Sequence, residues 1–205
     1  MSNRTKSTPQ AREPSETPRR AADRIRDTAF DLFYREGIRA IGVEEIVNRA
    51  GVTKPSLYRA FESKDELIAQ YLRDYDRRFR DNFAAQGAGH PDDPKAQLLA
   101  YVDYLAARAS TDGYRGCGLT NAVIEYPDPA HPAHQVGVES KEALRERLRE
   151  LCRGMGAPDA EELADGLLLL IEGSYVSGQA FGARSPARVL GAMARRLIEA
   201  SLATR

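Results

Sequence analysis

The stretch from Val43 to Phe61, VEEIVNRAGVTKPSLYRAF, constrains the fold most, because it predicts two short helices joined by a tight turn. In its first half, apolar side chains recur at the i, i+3, i+4 and i+7 spacing of one helix face. Gly51 follows, where a helix can end in the left-handed conformation without a Cβ clash. Thr53 can then cap a second helix with its hydroxyl, and Leu57 begins that helix's buried edge. The pattern is typical of a helix-turn-helix, whose second helix enters a DNA groove.

Basic side chains in this motif are not offset by acids within the same window. Between Ile46 and Phe61 the chain has Arg49, Lys54 and Arg59 and no Asp or Glu. A local positive excess of this kind supplies non-specific DNA affinity through phosphate neutralisation. Since the whole chain has 30 basic and 30 acidic residues, such affinity must come from a patch and not from a global field. The alternative is a solvated face between two ordinary core helices.

Whole-chain features set further limits. Residues 1–19 are rich in Ser, Thr, Pro and charge, so we expect a disordered basic tail that either contacts DNA or only aids solubility. No apolar run reaches the roughly 18–20 residues that span a bilayer, and the N-terminus does not read as a signal peptide. Cys117 and Cys152 form no metal or redox motif and fit free thiols. We therefore expect a cytoplasmic protein without a membrane segment.

Helical periodicity continues on both sides of the motif, and no segment shows the two-residue period of a strand. Ser63 and Glu66 form a capping box that begins a long helix through Phe83. The other helices are predicted over about 21–36, 95–109, 118–126, 133–153, 159–182 and 186–203. The run 167–171 is apolar on every face, so its helix is either buried all round or shared with a partner. The predicted fold class is therefore all-α, with about nine helices.

Residues from about Ile25 to Leu67 resemble the DNA-binding domain of the TetR/AcrR family of transcriptional regulators. The matching elements keep the family's order and spacing: 29–33, Gly37, Val43, Ile46, 50–54, 56–58, Phe61, Ser63, Lys64 and Leu67. Ile41 and Gly42 depart from the pattern, because the family often has two hydroxyl residues there. The resemblance implies a helix-turn-helix domain over residues 20–64 and a helical ligand-binding and dimerisation domain over residues 65–205.

The resemblance also implies which side chains contact DNA. They are Thr53, Lys54, Ser56, Tyr58, Arg59 and Lys64. Of these, Thr53, Tyr58 and Lys64 are expected at phosphates, where they fix the register, and the other three at base edges. Lys64 falls in the first turn of the long helix, where free N–H groups already attract an anion. Tyr58 has an alternative role, because an aromatic near a helix edge often packs under a neighbouring helix.

Members of this family pair through their last two helices, which here are about 159–182 and 186–203. The resemblance therefore implies a homodimer. A two-fold dimer presents its two recognition helices to major grooves roughly 34–36 Å apart, so its partner would be double-stranded DNA with a palindromic operator.

A small-molecule effector is the other partner that the resemblance implies, bound inside the C-terminal helices and releasing DNA. Such pockets are mostly apolar with a few convergent polar groups. Polar side chains within apolar helices give the candidates Tyr101, Tyr104, Cys117, Asn121, Glu125, Tyr175 and Gln179. Each could equally be an ordinary core or surface polar group, and nothing in the sequence identifies the effector.

Other functional classes stay open at this point. His131 and His134, with Glu125 or Asp128, could serve a metal-dependent sensor, although a Pro-rich loop does not preorganise two imidazoles. A DNA-binding regulator without a ligand, and a helical dimerisation protein with a merely architectural helix-turn-helix, are the further alternatives. No Gly-rich phosphate loop, nucleophile elbow or paired carboxylates occur, so we predict no enzyme, no cofactor and no metal site.

Overall fold

The computed structural model describes residues 20–203, so the predictions for residues 1–19 lie outside the described part of the chain. Over this range the chain forms α-helices and two short 3-10 turns and no strand, which confirms the all-α prediction. The nine α-helices of this described range are α1 Ala21–Glu36, α2 Val43–Ala50, α3 Lys54–Ala60, α4 Lys64–Gly87, α5 Pro94–Arg108, α6 Gly118–Glu125, α7 Pro132–Gly154, α8 Ala160–Phe181 and α9 Leu190–Ala203.

The first three helices form the predicted helix-turn-helix. Buried side chains of α1, among them Ile25 and Leu32, face a core against which α2 and α3 pack. Gly51 ends α2 with φ 63° and ψ 42°, the left-handed conformation that glycine adopts without strain. The N–H of Val52 then donates to the carbonyl of Val47 at 3.0 Å, which closes the turn. The two short helices and their glycine turn are therefore confirmed.

Helix α4 is continuous and packs against both the N-terminal helix α1 and the C-terminal helices α5, α6 and α7. The Ser63 hydroxyl caps it by accepting from the N–H of Glu66 at 3.0 Å, and the Glu66 carboxylate accepts from the N–H of Glu62 at 2.5 Å. Its 24 residues correspond to about 36 Å of helix. The predicted division after residue 64 falls within its first turn, where Leu67 is already buried.

The remaining helices pack around α4 and around each other. Helix α4 contacts α5, α6 and α7, while α8 packs between α7 and α9. One close approach requires a glycine: a Cβ at Gly137 of α7 would lie 2.5 Å from Val123 and 3.0 Å from the Leu119 carbonyl of α6. Among residues 20–203, no helix is both long enough and apolar enough to cross a membrane.

Helix α8 is not buried on every side. Leu167 and Ile171 are fully buried, but Leu169 is 74% exposed and Val176 is 57% exposed. Of the two interpretations of this apolar segment, burial all round is therefore wrong. The chain then makes a 3-10 turn over Pro186–Val189 before α9 begins, where the sequence predicted one uninterrupted helix.

Candidate nucleic-acid interface and ligand cavity

Helix α3 has one buried edge and one solvent face. Leu57 is 0% exposed and Phe61, which follows the helix, is also buried, so this edge holds α3 against α1 and α2. The opposite face is open: Thr53, Lys54 and Arg59 are exposed, and Tyr58 is 52% exposed. Because Tyr58 projects into solvent, the alternative that it packs under a neighbouring helix is wrong. The assignment of these side chains to DNA stays a prediction.

A small polar network organises the solvent face of α3. The hydroxyls of Thr53 and Ser56 are 3.0 Å apart, and Arg59 Nη2 donates to the Ser56 hydroxyl at 3.2 Å. Arg59 Nε also donates to the carbonyl of Pro55 at 3.3 Å. The prediction that the Thr53 hydroxyl caps α3 is wrong, because that hydroxyl pairs with Ser56 and accepts no backbone N–H. These contacts lie at the surface, so Arg59 can exchange them for contacts with DNA.

Acidic side chains from outside residues 46–61 form ion pairs with basic side chains inside that range. Lys54 Nζ forms an ion pair with Glu44 of α2, and this hydrogen bond raises the pKa of Lys54. Arg49 Nε lies 2.7 Å from Glu45, and its Nη1 lies 3.4 Å from Glu36. The local positive excess read from the sequence is therefore partly neutralised in the folded protein.

This neutralisation gives a test of Lys54. Replacing Glu44 by Gln should strengthen DNA binding about two- to fivefold at low ionic strength, because Lys54 would no longer be shared with a carboxylate. The gain should shrink as salt screens the interaction. Fluorescence anisotropy with a labelled duplex over a KCl series measures both effects.

Glu142→Gln is the matched control, since Glu142 is exposed on α7 and its loss changes the net charge equally. An equal gain in the control would mean that only net charge matters, and that Glu44 does not specifically compete for Lys54.

Lys64 and Ser56 are partly buried, whereas the other four predicted DNA contacts are exposed. Lys64 Nζ donates to the carbonyl of Ile38 at 3.3 Å, and burial lowers the pKa of Lys64. The side chain thus ties the first turn of α4 to the segment between α1 and α2. Its contact with phosphate remains a prediction that requires this hydrogen bond to be shared or released.

A cavity of about 190 Å³ lies where α1, α4, α5 and α8 meet the segment 109–117. Four of the seven predicted ligand residues line it, namely Tyr101, Tyr104, Cys117 and Tyr175. The lining residues that the sequence reasoning missed include Phe30, Tyr34, Tyr75, Arg78, Phe79, Arg108 and Tyr114. The structure thus brings part of the prediction together and adds a wall from α1 and α4.

Aromatic rings build that additional wall. Phe30 and Tyr34 of α1 both stack on Tyr75 of α4, with ring centroids 6.2 and 6.1 Å apart. Tyr75 and Phe79 are four residues apart and therefore share one helix face. This spacing was the available signal in the sequence, but it reads equally well as an ordinary core stripe. The cavity is therefore bounded directly by a helix of the helix-turn-helix domain.

Burial keeps four tyrosines of the cavity neutral. The hydroxyls of Tyr101 and Tyr175 lie 3.4 Å apart in the interior. Burial raises the pKa of Tyr75, Tyr101, Tyr114 and Tyr175 above the ordinary tyrosine value. These side chains consequently contribute hydrogen-bonding groups to the cavity and no negative charge.

Cys117 lies beside a separate polar cluster. Lys141 Nζ donates to its sulfur at 3.4 Å and pairs with Glu172 at 2.8 Å. The other oxygen of Glu172 accepts from the Thr120 hydroxyl at 2.8 Å. The charges of Lys141 and Glu172 therefore compensate each other.

The other three predicted ligand residues lie outside the cavity wall. Asn121 donates to the carbonyl of Arg115 at 2.9 Å, and Gln179 donates to Asn121 at 3.3 Å. Glu125, the last residue of α6, instead contacts the segment between α1 and α2. Its carboxylate accepts from the N–H of Arg39 at 2.8 Å, and its carbonyl accepts from the Arg39 guanidinium at 3.2 Å. Glu125 thus joins α6 to the helix-turn-helix domain.

The two histidines considered as metal ligands have other roles. His131 Nδ1 accepts from the N–H of Ala133 at 3.1 Å, and its ring stacks on Tyr126 at 4.0 Å. His134 Nδ1 lies 2.8 Å from the carbonyl of Tyr126. Within residues 20–203, no three His, Cys, Asp or Glu side chains are grouped so as to hold a metal ion.

A second, wider groove of about 640 Å³ lies on the other side of Phe79, between α4, α5 and α7. Its lining includes acids and bases together, among them Asp76, Arg80, Glu146 and Arg147. Several of these are already paired: Asp76, for example, accepts from the Ser140 hydroxyl and forms an ion pair with Arg80. Its polar groups therefore do not converge on one ligand chemistry as those of the smaller cavity do.

Comparison with known proteins identifies the arrangement. A family model described as bacterial regulatory proteins of the tetR family matches residues 25–71, from α1 into α4. The transcriptional repressor ComR of Escherichia coli K12 is 31% identical over an alignment of 170 residues, and the match covers 77% of this chain and 79% of ComR. The chain belongs to the TetR family. In this family the relatives are transcriptional regulators that bind DNA, and not enzymes.

Solved structures agree over most of the chain. A TetR-family transcriptional regulator from Streptomyces coelicolor has a TM-score of 0.79 and 32% identity, and the match covers 89% of this chain and 94% of that chain. A TetR-type regulator from Streptomyces avermitilis has a TM-score of 0.78 and 30% identity, and the match covers 88% and 97% of the two chains. The TetR resemblance is therefore confirmed well beyond the helix-turn-helix.

Proposed function

We propose that this TetR-family regulator is a homodimeric repressor that binds a palindromic operator through α3 and releases it when a small molecule occupies the cavity. The observation that carries the proposal is the open face of α3. Its inner edge at Leu57 is fully buried, so the helix is held rigidly, while Tyr58 and Arg59 are exposed on the other side. A rigid helix with an exposed, partly basic face suits a major groove.

Unpartnered apolar side chains on α8 and next to α9 support the homodimer. Of the large hydrophobic side chains that are exposed in residues 20–203, four lie in this region: Leu169, Val176, Phe181 and Val189. Large apolar side chains exposed along one pair of helices are typical of an interaction site. In a dimer with its two-fold axis beside α8, both protomers would bury these side chains against each other. The same axis would set the spacing of the two α3 helices.

Release by an effector is supported by where the cavity lies. Phe30 and Tyr34 of α1 line it, so a bound molecule would touch the DNA-binding domain itself. The contact of Glu125 with Arg39 provides a second connection between the two halves. An effector acts only if it binds the two arrangements of the domains with different affinity. Repression is proposed because the relative ComR is named a repressor.

Selection of operators from a random duplex library tests the DNA-binding part of the proposal. The full-length protein should enrich palindromes whose half-sites lie about one helical turn apart, 10–10.5 base pairs. Anisotropy on the enriched duplex should show affinity that falls steeply with KCl concentration. Enrichment of single, unpaired half-sites would contradict the dimer, and a failure to enrich any motif at low ionic strength would contradict sequence-specific binding.

A further inference from the structure

The geometry points to a small aromatic anion as the cavity's ligand: a single-ring carboxylate whose ring enters the cavity and whose carboxylate binds Arg78 and Arg108 at the rim. This inference rests on the proposed function, because it treats the cavity as the effector site. It adds the chemical class of the effector.

The size and lining of the cavity determine the body of the ligand. An apolar cavity of roughly 150 Å³ holds one benzene molecule, so about 190 Å³ accepts one substituted ring. Tyr101 and Tyr175 are almost fully buried and form the inner surface, with Phe79 beside them. Aromatic walls pack favourably on an aromatic ring in stacked or edge-on geometry. A flexible, fully polar molecule would not form these packing contacts with the aromatic walls.

The charges of the lining determine the sign of the ligand. Arg78 and Arg108 line the cavity, and no Asp or Glu does among the described residues. The buried tyrosines are neutral, as described above. The carboxylate of Glu172 lies beyond this wall and is neutralised by Lys141. An anion would therefore find positive charge at the rim, whereas a cation would find no counter-charge.

The two guanidinium groups are positioned to accept an anion. Arg78 lies over the ring of Phe30, with Cζ 4.4 Å from the centroid. Arg108 lies 5.8 Å from the Tyr104 centroid and 5.9 Å from the Tyr114 centroid, and donates to the Tyr104 hydroxyl at 3.2 Å. In residues 20–203 neither arginine forms an ion pair with a carboxylate of the chain. When the flat face of a guanidinium packs on an aromatic ring, the N–H groups at its edge stay free to bind a carboxylate bidentately.

Isothermal titration calorimetry with three probes of similar shape tests the inference: benzoate, benzamide and benzylamine. Benzoate should bind, while the neutral amide and the cationic amine should bind about tenfold more weakly or not at all, because they lack the charge-assisted hydrogen bonds. Binding of benzylamine at least as strong as that of benzoate would overturn the proposed sign of the charge.

Charge-removing variants locate the binding site. Arg108→Gln and Arg78→Gln should each weaken benzoate binding about tenfold and leave benzamide binding unchanged. Arg73→Gln is the control, because Arg73 is an exposed arginine of the same helix as Arg78 that does not line the cavity. Circular dichroism verifies that each variant is folded. An equal loss in all three variants would overturn the assignment of the carboxylate to the rim.

A second measurement separates this inference from the proposed function. Operator affinity of the wild-type protein is measured by anisotropy with benzoate at saturation. Arginine-dependent benzoate binding without any change in operator affinity would support the ligand class and refute release of DNA by the cavity. Release of the operator by benzylamine, abolished by filling the cavity with Leu105→Trp, would support the effector site and refute the anion.

Discussion

Replacing Leu169 by Asp is expected to convert the protein from a dimer into a monomer at micromolar concentration. Leu169 is 74% exposed on α8, so the substitution leaves the core of the protomer intact. In a two-fold interface the new carboxylate occurs twice, and each copy would be buried without a partner. If each copy costs about 2 kcal/mol, the two copies cost about 4 kcal/mol together, so the dimer dissociation constant should rise roughly several hundred-fold. Sedimentation velocity over a concentration series measures it.

Ile124→Asp is the matched control, because Ile124 is also apolar and 69% exposed but lies on α6. It should leave the sedimentation coefficient unchanged. A dimer that persists in Leu169→Asp and dissociates in Ile124→Asp would place the subunit interface on α6 and contradict the proposal. The monomeric variant should also lose affinity for a palindromic operator, since each half-site would then be bound independently.

Replacing Arg59 by Ala should relax sequence preference at one position of each operator half-site. A bidentate contact from arginine to a guanine edge is worth about 1–3 kcal/mol of discrimination against the wrong base. Among residues 20–203, the hydrogen bonds of this guanidinium go to the Ser56 hydroxyl at 3.2 Å and the carbonyl of Pro55 at 3.3 Å. Both are surface hydrogen bonds, so their exchange for a base edge costs little. Repeating the operator selection with the variant measures the change.

Arg49→Ala serves as the control for charge, because Arg49 is exposed and already paired with acids of α1 and α2. It should reduce affinity for all duplexes by a similar, small factor and leave the selected motif unchanged. Should Arg59→Ala instead weaken all operators uniformly, Arg59 would be a phosphate contact. Base reading would then fall to Lys54 and Ser56.

Local signals in the sequence were sufficient for the type and order of the helices, but not for every cap and helix end. Gly37 and Gly51 have positive φ at the ends of α1 and α2, and Ser63 caps α4, as their residue types predict. The Thr53 hydroxyl does not cap α3, because it instead forms a hydrogen bond with the Ser56 hydroxyl, one helical turn further on. Helix α4 also continues to Gly87, four residues past Phe83, because Gly and Gln there do not by themselves end a helix.

The ligand cavity was only partly predictable, for a physical reason. A polar residue in an apolar helix is visible in the sequence, and this criterion found Tyr101 and Tyr175. A cavity is a gap between elements, however, and its apolar wall has the same periodicity as a packed core. Phe30 and Tyr75 therefore look like core residues until the crossing of α1 and α4 is known. Glu125 satisfied the same polarity criterion but points towards Arg39, because it lies at the end of its helix.

The two sides of the cavity also differ in how freely their residues can be redesigned for a biosensor with a new ligand preference. Phe30 and Tyr34 stack on Tyr75, so replacing any of the three would change the packing of α1 of the DNA-binding domain against α4. The same replacement would also change which ligands fit the cavity. The opposite side, with Tyr104 and Leu105 of α5, makes no such ring stack with α1. Libraries confined to that side should yield variants with altered chemical selectivity and undamaged operator recognition.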